Sequence, residues 1–208
     1  RIAELNLYDG KADRYFSGSP VPLAEDLRTW ALGETEAISS VTYPRERPYY
    51  VELSPEKTLP YELETIEIDT CYNKIFTPEM VAGHWKMASQ SLNSVILSQS
   101  MAIKIFGNAE SAIGKHMTLM RRLNTSPEST PKTGGIVYTI QAVMKDIPLN
   151  NSLDFMQNID MLTVNDSEGL LQSPKRYNMT GANTYVLLSP QTTCTDLEKQ
   201  FSKRDYTY

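Results

Sequence analysis

The stretch from Val95 to Leu119 holds glycines and a lysine in an order that suggests a phosphate-binding loop. Such a loop has four residues between a glycine and a Gly-Lys pair, a Ser or Thr after the lysine, a strand before it and a helix after it. Here six residues separate Gly107 from Gly114-Lys115, and His116 takes the place of the magnesium-binding hydroxyl. The apolar pattern also places the helix before the loop and the strand after it. A nucleotide-binding loop is therefore not predicted here.

Three short motifs occur in the order found in serine acyl-enzymes of the penicillin-binding class: S-x-x-K at 54–57, S-x-N at 91–93 and K-T-G at 132–134. That chemistry needs the serine at the start of a buried helix and the lysine one turn later. Pro60 would end any such helix soon after Lys57, and no apolar face lies between them. We therefore do not assign a serine nucleophile.

The two histidines, His84 and His116, belong to no H-x-x-H or C-x-x-C pair. A metal site would need distant carboxylates to converge on one of them. We interpret both as structural, partly exposed residues, and we predict no catalytic residue, no cofactor-binding residue and no metal ligand.

Acidic residues recur at strand spacing in one region, at Glu62, Glu64, Glu67 and Asp69. Within T-I-E-I-D-T, the isoleucines alternate with Glu67 and Asp69, which predicts a strand with one solvated face. A catalytic carboxylate pair would give the same pattern, and the sequence does not separate the two interpretations.

Two arginines lie among tyrosines in residues 42–50. The residues concerned are Tyr43, Arg45, Arg47, Tyr49 and Tyr50. Two prolines in this stretch predict a loop, since proline lacks the N–H that a strand ladder needs. Exposed aromatic residues beside arginine recur at interfaces, so this loop is a candidate for binding a sugar or a partner.

The composition places the chain among ordinary globular proteins. Of its 208 residues, 40% are hydrophobic and 22% charged, and the net charge of -5 with a pI near 5.1 disfavours nucleic acid and anionic lipid as partners. No run reaches the roughly 18 apolar residues that a membrane-spanning helix needs. Cys71 and Cys194 make no disulfide framework, and whether they pair stays open. Because the sequence begins at Arg1, we expect it to be a piece of a longer protein.

The elements that position these residues mix short strands with a few short helices. Helices are predicted at 22–32 and 98–106, with a helical turn from Thr77 to Gly83. A last short helix, capped by Thr195 or Thr193, is predicted to carry Leu197 and Phe201. Strands are predicted at 38–43, 65–70, 95–97, 117–119, 136–144 and 184–189, the fifth with Tyr138, Ile140, Ala142 and Met144 on one face. Residues 121–135 predict a long exposed loop or the tip of a hairpin. The absence of a regular βαβ rhythm favours an α+β fold.

The opening stretch is explained by helix and turn chemistry alone. Ser98 can cap the helix by accepting a first-turn N–H, and Leu97 with Ala102 can form a hydrophobic staple. Gly107 then supplies the left-handed end of the helix, and Gly114 the turn into the next strand.

This stretch resembles the strand–helix–loop signature of the MacB-like periplasmic core domain, found in FtsX-like permease subunits of ABC transporters. The matching positions are Ser98, Ala102, Lys104, Phe106, Gly107, Ile113, Gly114 and Lys115. Ala112 stands where the family usually has proline.

A second segment, Y-T-I-Q-A-V-M-K-D-I-P-L-N-N-S-L-D-F, is similar to the strand and turn that follow in the family. The matching positions are Val143, Lys145, Asp146, Pro148, Asn151, Ser152 and Phe155. Ala142 and Leu153 stand where glycine and histidine are frequent. Residues 183–201 resemble the closing strand and helix, while residues 1–5 and 20–27 agree more weakly.

The resemblance implies an α+β fold of two parts. A porter-like subdomain of βαβ units would combine residues 1–85 with 180–208, and a mostly-β subdomain would be inserted at 86–179. Both chain ends would face the membrane.

The resemblance also implies a non-catalytic periplasmic domain that relays ATP-driven motion of membrane helices to a substrate or partner. It would lie on the extracytoplasmic face of the bacterial inner membrane, tethered by flanking transmembrane helices. Implied partners are a separate ABC ATPase subunit or domain, a second permease copy or half, and a periplasmic adaptor or lipoprotein. The alternatives are an extracytoplasmic ligand- or lipoprotein-binding module and, more remotely, a secreted hydrolase.

Overall fold

The computed structural model describes residues 2–5, 7–9, 14–16, 18–30, 33, 35–54, 57–119, 135–147, 158–164, 170–172 and 180–201. The chain forms two compact units. The first unit comprises Arg1–Tyr43, Glu67–Thr77 and Glu168–Tyr208, and the second comprises Pro44–Ile66 and Pro78–Ser167.

The described strands are, in chain order, β1 (Ile2–Leu5), β2 (Leu7–Asp9), β3 (Arg14–Phe16), β4 (Ser19–Pro20), β5 (Thr35–Thr42), β6 (Arg45–Ser54), β7 (Lys57–Ile68), β8 (Met80–Gly83), β9 (Ser94–Ser98), β10 (His116–Leu119), β11 (Val137–Met144), β12 (Met161–Val164) and β13 (Thr180–Leu188). The described α-helices are α1 (Leu23–Thr29), α2 (Tyr72–Phe76), α3 (Trp85–Gln90), α4 (Gln99–Phe106) and α5 (Cys194–Phe201). Short 3-10 helices cover Glu110–Ala112 and Leu170–Gln172. The mixture confirms the predicted α+β fold.

The first unit has an antiparallel sheet with β13 at its centre. β1 and β5 flank β13, and both run antiparallel to it, so they are parallel to each other. Because α1 lies between them in the chain, β1, α1 and β5 form a split βαβ unit. Helices α1 and α5 cover the sheet through a small apolar cluster. The fully buried members are Ala24, Leu27, Ile38, Val186, Leu188 and Leu197.

Helix α1 confirms the helix that the sequence predicts within residues 22–32. It covers Leu23–Thr29 with Pro22 at its N-cap, and Leu27 is completely buried. Two acidic residues in the first turn suit the positive end of the helix dipole. Residues 31 and 32, at the end of the predicted helix, lie outside the described residues.

The second unit closes its strands into a ring. Each strand pairs with the next in the order β7, β12, β9, β11, β10 and β6. β6 also pairs with β7, which closes the ring. The ring and α4 share one apolar core, in which Tyr49 and Tyr138 meet edge to face with centroids 5.9 Å apart. The other fully buried members are Val51, Leu63, Val95, Leu97, Met101, Ala102, Ile105, Ala109, Ala112, Met117, Ile140, Val143 and Met161.

The strand and helix predicted for residues 95–107 are confirmed. The Met101 backbone N–H donates to Ser98 Oγ at 3.3 Å, so Ser98 caps α4. Gly107 ends the helix with φ of 85°, and Gly114 turns the chain into β10 with φ of 77°. Lys115 is exposed and follows this turn.

Strand β11 departs from the single face that the sequence predicts. Its pairing with β9 slips by one residue between Ile140 and Ala142, which leaves Gln141 as an extra residue in a β-bulge. Val143 therefore joins Tyr138 in the ring core, and the predicted alternation through Ala142 and Met144 is wrong. Gly83 of β8 lies against the bulge with φ of 69°, and a β-carbon there would lie 2.3 Å from the Gln141 carbonyl oxygen.

The loop predicted around Arg45 and Arg47 is wrong, because this stretch is the first half of β6. Pro48 lies opposite Glu62 of β7, while the described pairing with β10 begins only at Tyr49. Proline is tolerated where a strand edge needs no ladder hydrogen bond. The helical turn predicted from Thr77 to Gly83 is also wrong, since Thr77 ends α2 with φ of 41° and residues 80–83 form β8.

The compact units divide the chain at other places than the subdomain boundaries implied by the resemblance. Residues 44–66 and 78–85 lie in the second unit, because β6, β7 and β8 pair with its other strands. Residues 168–179 are assigned to the first unit. The subdomain boundaries themselves stay a prediction.

Candidate functional site

Two carboxylates that the sequence placed on a solvated face lie in the interior of the first unit. The side chain of Glu67 is 4% exposed, and Asp69 is half-buried. The prediction of a wet face is therefore wrong. Alternation alone missed this, because the donors to Glu67 are the backbone N–H groups of Leu170 and Leu171, far along the chain.

Asp69 is saturated with hydrogen-bond donors from three elements. It accepts the Arg28 Nη2 group, Ser39 Oγ at 2.8 Å, the Ser40 N–H at 2.8 Å and the Cys71 N–H at 2.9 Å. A carboxylate held by this many donors fixes the geometry of the segments around it. Asp69 therefore joins α1, β5 and the start of α2.

Arg28 supplies the positive charge of this network. Its Nε and Nη2 donate to the Ile38 carbonyl oxygen at 3.1 and 3.0 Å, and Nη1 donates to Glu25 at 3.0 Å. Burial acts to lower the pKa of Arg28, but attraction by Asp69 and Cys71 more than offsets it, so the pKa lies above its ordinary value. We call Arg28, Asp69 and their hydrogen-bond partners the Arg28–Asp69 network.

Glu67 makes a separate set of contacts at the end of β7. The backbone N–H groups of Leu170 and Leu171 both donate to its Oε2, and its own N–H donates to Thr42 Oγ1 at 2.8 Å. A buried carboxylate is stable only when it is hydrogen-bonded in this way. Glu67 thus joins β7 to the 3-10 helix at Leu170–Gln172.

An open pocket of about 300 Å³ lies beside Arg28 in the first unit. Cys71 and Lys74 line it, together with residues of β5, and no histidine does. Acyl transfer needs a nucleophile within reach of a base and a group that orients the base. The lining residues do not supply that set.

The other motif residues do not assemble a catalytic centre either. Ser54 and Lys57 face each other across the β6–β7 hairpin, so their spacing is that of a turn. Ser91 and Asn93 lie in the turn between α3 and β9. The K-T-G motif at 132–134 lies outside the described residues, as do Asn151, Ser152 and Phe155 of the resemblance.

The histidines and cysteines are dispersed. His84 and His116 are both exposed, and Cys71 and Cys194 are free thiols. In the part of the chain that is described, no three His, Cys, Asp or Glu side chains come close enough to hold a metal ion.

The second unit has its own acidic group on the ring. Glu64 lies directly opposite Glu46 across β6 and β7, and its N–H donates to Asp160 Oδ2 at 2.9 Å. Partial burial, followed by repulsion from Glu46 and Asp160, raises the pKa of Glu64. Burial also raises the pKa of Asp160, against the lowering effects of the Glu64 N–H and Lys104.

The sequence analysis did not single out Arg28, Ser39 or Asp160. A local signal existed for Arg28 alone, because it directly follows a residue of the buried face of α1 and so lies at the margin of that face. Its partner is 41 residues away, and Asp160 is 96 residues from Glu64. Contacts of this range leave no periodic trace in the sequence.

Comparison with known proteins identifies the class of fold. No family model and no curated protein matches the chain. Solved structures do match. A permease-protein domain from Porphyromonas gingivalis is 22% identical, with a TM-score of 0.68 over 99% of this chain and 85% of that one.

Two further structures share the fold. The periplasmic region of MacB from Actinobacillus actinomycetemcomitans is 15% identical, with a TM-score of 0.57 over 97% of this chain and 79% of that one. The extracellular domain of the ABC-type transporter YknZ from Gram-positive bacteria is 12% identical, with a TM-score of 0.53 over 96% and 88%.

The chain therefore has the α+β fold of extracytoplasmic domains of ABC-type permeases. The resemblance to the MacB-like periplasmic core domain is confirmed at the level of the fold. Within the described residues, no helix is long and apolar enough to cross a membrane.

Proposed function

We propose that this chain is a non-catalytic extracytoplasmic domain of an ABC transporter permease, and that it relays ATP-driven motion of the membrane helices. The observation that supports this most is the fold likeness to permease domains over nearly the whole chain. The transported substrate and the direction of transport do not enter the proposal.

The state of the polar side chains fits a mechanical role. Asp69 is occupied by four donors and Glu67 by backbone N–H groups. Catalytic acids and bases instead need an open face toward a substrate. Both carboxylates are thus occupied in holding chain segments together.

The path of the chain also fits this role. The chain passes between the two units four times, at 43/44, 66/67, 77/78 and 167/168. The piece Glu67–Thr77 belongs to the first unit and is joined to the second at both its ends. Asp69 and the ring contacts of α2 hold this piece in place; Phe76 packs on Tyr72 and Tyr185 with centroids 4.6 and 5.1 Å apart. A piece held this firmly transmits displacement instead of absorbing it.

The proposed partners follow from the proposed role. ATP hydrolysis would belong to a separate ATPase subunit or domain, and a second permease copy or half would complete the transporter. A periplasmic adaptor or lipoprotein would receive the motion. Membrane-spanning helices of the parent permease would flank this chain.

The test uses the parent permease with its ATPase, reconstituted in nanodiscs. Hydrogen exchange across residues 1–208 is measured without nucleotide and with ATP trapped by an ATPase variant that cannot hydrolyse it. We expect ATP to change exchange within this domain, which lies outside the nucleotide site. Identical exchange in both states would contradict the relay.

The binding-module alternative predicts another result in the same preparation. A lipoprotein or small ligand would then change exchange without nucleotide, and ATP alone would not. The isolated chain serves as the control, because ATP should leave its exchange unchanged.

A further inference from the structure

The 3-10 helix at Leu170–Gln172 is held on the first unit by few described contacts. The Glu67 carboxylate accepts the Leu170 and Leu171 N–H groups, and the Leu170 side chain packs over Gly181. A β-carbon at Gly181 would lie 2.7 Å from Leu170 Cδ2, so the absence of a side chain there makes room for the leucine. We call the Glu67 carboxylate with these two N–H groups the Glu67 clasp.

The clasp lies at two of the four places where the chain changes unit. Glu67 is the first residue of the first unit after β7 leaves the second, and the chain returns at Glu168, two residues before Leu170. One side chain thus joins the end of β7 to Leu170 and Leu171, which follow soon after the chain returns to the first unit. The Glu67 N–H donates to Thr42 Oγ1 of β5 at 2.8 Å. Glu67 is therefore held in place by β5, and residues 170–172 are the part of the clasp that can move.

Hydrogen bonds from backbone N–H groups to a buried carboxylate, as in the clasp, are strong ones. Yet the apolar support of the 3-10 helix is only half-buried at Leu170 and Leu171. Among the described residues, this three-residue element is held by its two N–H bonds to Glu67, by the Leu170 side chain over Gly181 and by contacts with β5. So short an element belongs to the parts of a protein that open before the whole unfolds.

We propose that the Glu67 clasp is a releasable fastening, which decides whether residues 170–172 stay docked on the first unit. Opening it releases residues 170–172 from the first unit while β7 stays paired. In a transporter this would set how tightly residues 170–172 move with β7, and that part rests on the proposed function. The clasp itself is a property of the isolated chain.

The experiment is amide exchange by NMR on the isolated chain, comparing the wild type with Glu67→Gln. The amide keeps the size and one oxygen acceptor but loses the charge. We expect exchange at Leu170 and Leu171 to become faster by about ten- to a hundredfold, because the charge-assisted bonds weaken. The Gly181 amide resonance should shift as Leu170 leaves it. Exchange at Ile38 and Val186, in the sheet core, should stay the same.

Glu36→Gln is the matched control, because Glu36 is exposed on β5 of the same unit. It should change none of these amides. Unchanged exchange at Leu170 in a folded Glu67→Gln protein would overturn the proposal. Equal acceleration at Leu170, Ile38 and Val186 would also overturn it, since Glu67 would then support the whole unit.

A second variant covers the case in which Glu67→Gln does not fold. Leu170→Ala keeps the carboxylate and removes the apolar support, so exchange at Leu171 should rise with Ile38 unaffected. Full protection of Leu171 in that variant would contradict the proposal. These outcomes are independent of ATP, so they stand or fall separately from the relay tested above.

Discussion

The two units differ in how many polar side chains they bury. Among the described residues, the first unit buries Ser19, Ser39, Ser40, Thr42, Glu67, Asn183, Thr184 and Thr192, and the second buries Thr65, Ser94, Ser98 and Thr163. The apolar cluster of the first unit is also smaller than the ring core of the second. An apolar core gains stability from area and tolerates small shifts, while a polar one depends on each donor finding its acceptor. Substitutions should therefore destabilise the second unit mainly by creating cavities and the first unit mainly by removing hydrogen bonds.

The largest expected effect is a cavity in the ring core. Leu97→Ala should lower the free energy of unfolding by about 2–5 kcal/mol, because Leu97 is completely buried among apolar neighbours. Denaturant unfolding followed by circular dichroism measures this. Ile103→Ala on α4 is the control, since Ile103 is 49% exposed, and it should cost less than about 1 kcal/mol. Similar losses in both variants would show that burial in the ring core does not determine the stability of the protein.

The next effect concerns the Arg28–Asp69 network. Asp69→Asn should lower the free energy of unfolding by roughly 1–3 kcal/mol, below the cost of breaking a fully buried pair, since the side chains of Arg28 and Asp69 are 29% and 17% exposed. Thermal unfolding of Arg28→Met, Asp69→Asn and the double variant gives the coupling energy. Glu25→Gln removes only a 72% exposed partner and should be nearly neutral. Strictly additive losses would show that the two charges are not coupled.

A smaller effect is expected at the N-terminus of α4 in the second unit. Ser98→Ala removes the cap on the Met101 N–H and should cost about 1 kcal/mol in urea unfolding. Ser111→Ala is the control, because Ser111 is exposed in the 3-10 helix that follows α4 and its hydrogen bond to Asn108 uses the backbone N–H; it should be nearly neutral. A Ser111 effect as large as that of Ser98 would argue against the capping role.

The smallest effect is a pH dependence of opposite sign in the two units. Glu64 has a folded-state pKa above its ordinary 4.5, so the folded second unit takes up its proton first and gains stability as the pH falls through that raised value. Asp196 has a pKa lowered by hydrogen bonds from Thr193; its contribution is present above its ordinary 3.8 and is lost as the pH falls through the lowered value.

Unfolding free energies between pH 7 and pH 3 test this. Compared with the wild type, Glu64→Gln should show a smaller increase in the free energy of unfolding as the pH falls. Asp196→Asn should show a smaller decrease. The same sign of change in both variants would refute the contrast between the units.

Local patterns predicted the parts of the fold that local chemistry decides. Ser98, the apolar face of α4 and Gly107 act within one helix, so the strand, cap and helix end there could be predicted from spacing. The same local signs predicted α1. The segment 95–115 also carried the resemblance that the fold likeness then supported.

Patterns failed where distant residues decide. Pro48 signalled a loop, but β7 supplies a full partner strand and the proline falls outside the described β10 pairing. Glu67 and Asp69 gave the alternation of a solvated strand, yet Arg28 and Leu170 reach them from other segments. No spacing pattern in the sequence predicts a hydrogen-bond partner that is 41 or 103 residues away. The candidate site was for this reason almost invisible in the sequence.

The bulge at Gln141 has a consequence for how sequences with this fold should vary over evolution. Gly83 carries no side chain where the extra residue pushes a carbonyl oxygen toward it. The positive φ of Gly83 disfavours a side chain there as well. A relative that keeps the bulge should therefore keep glycine at position 83. Position 141 should accept other residues, because the close approach to Gly83 is made by a backbone carbonyl oxygen.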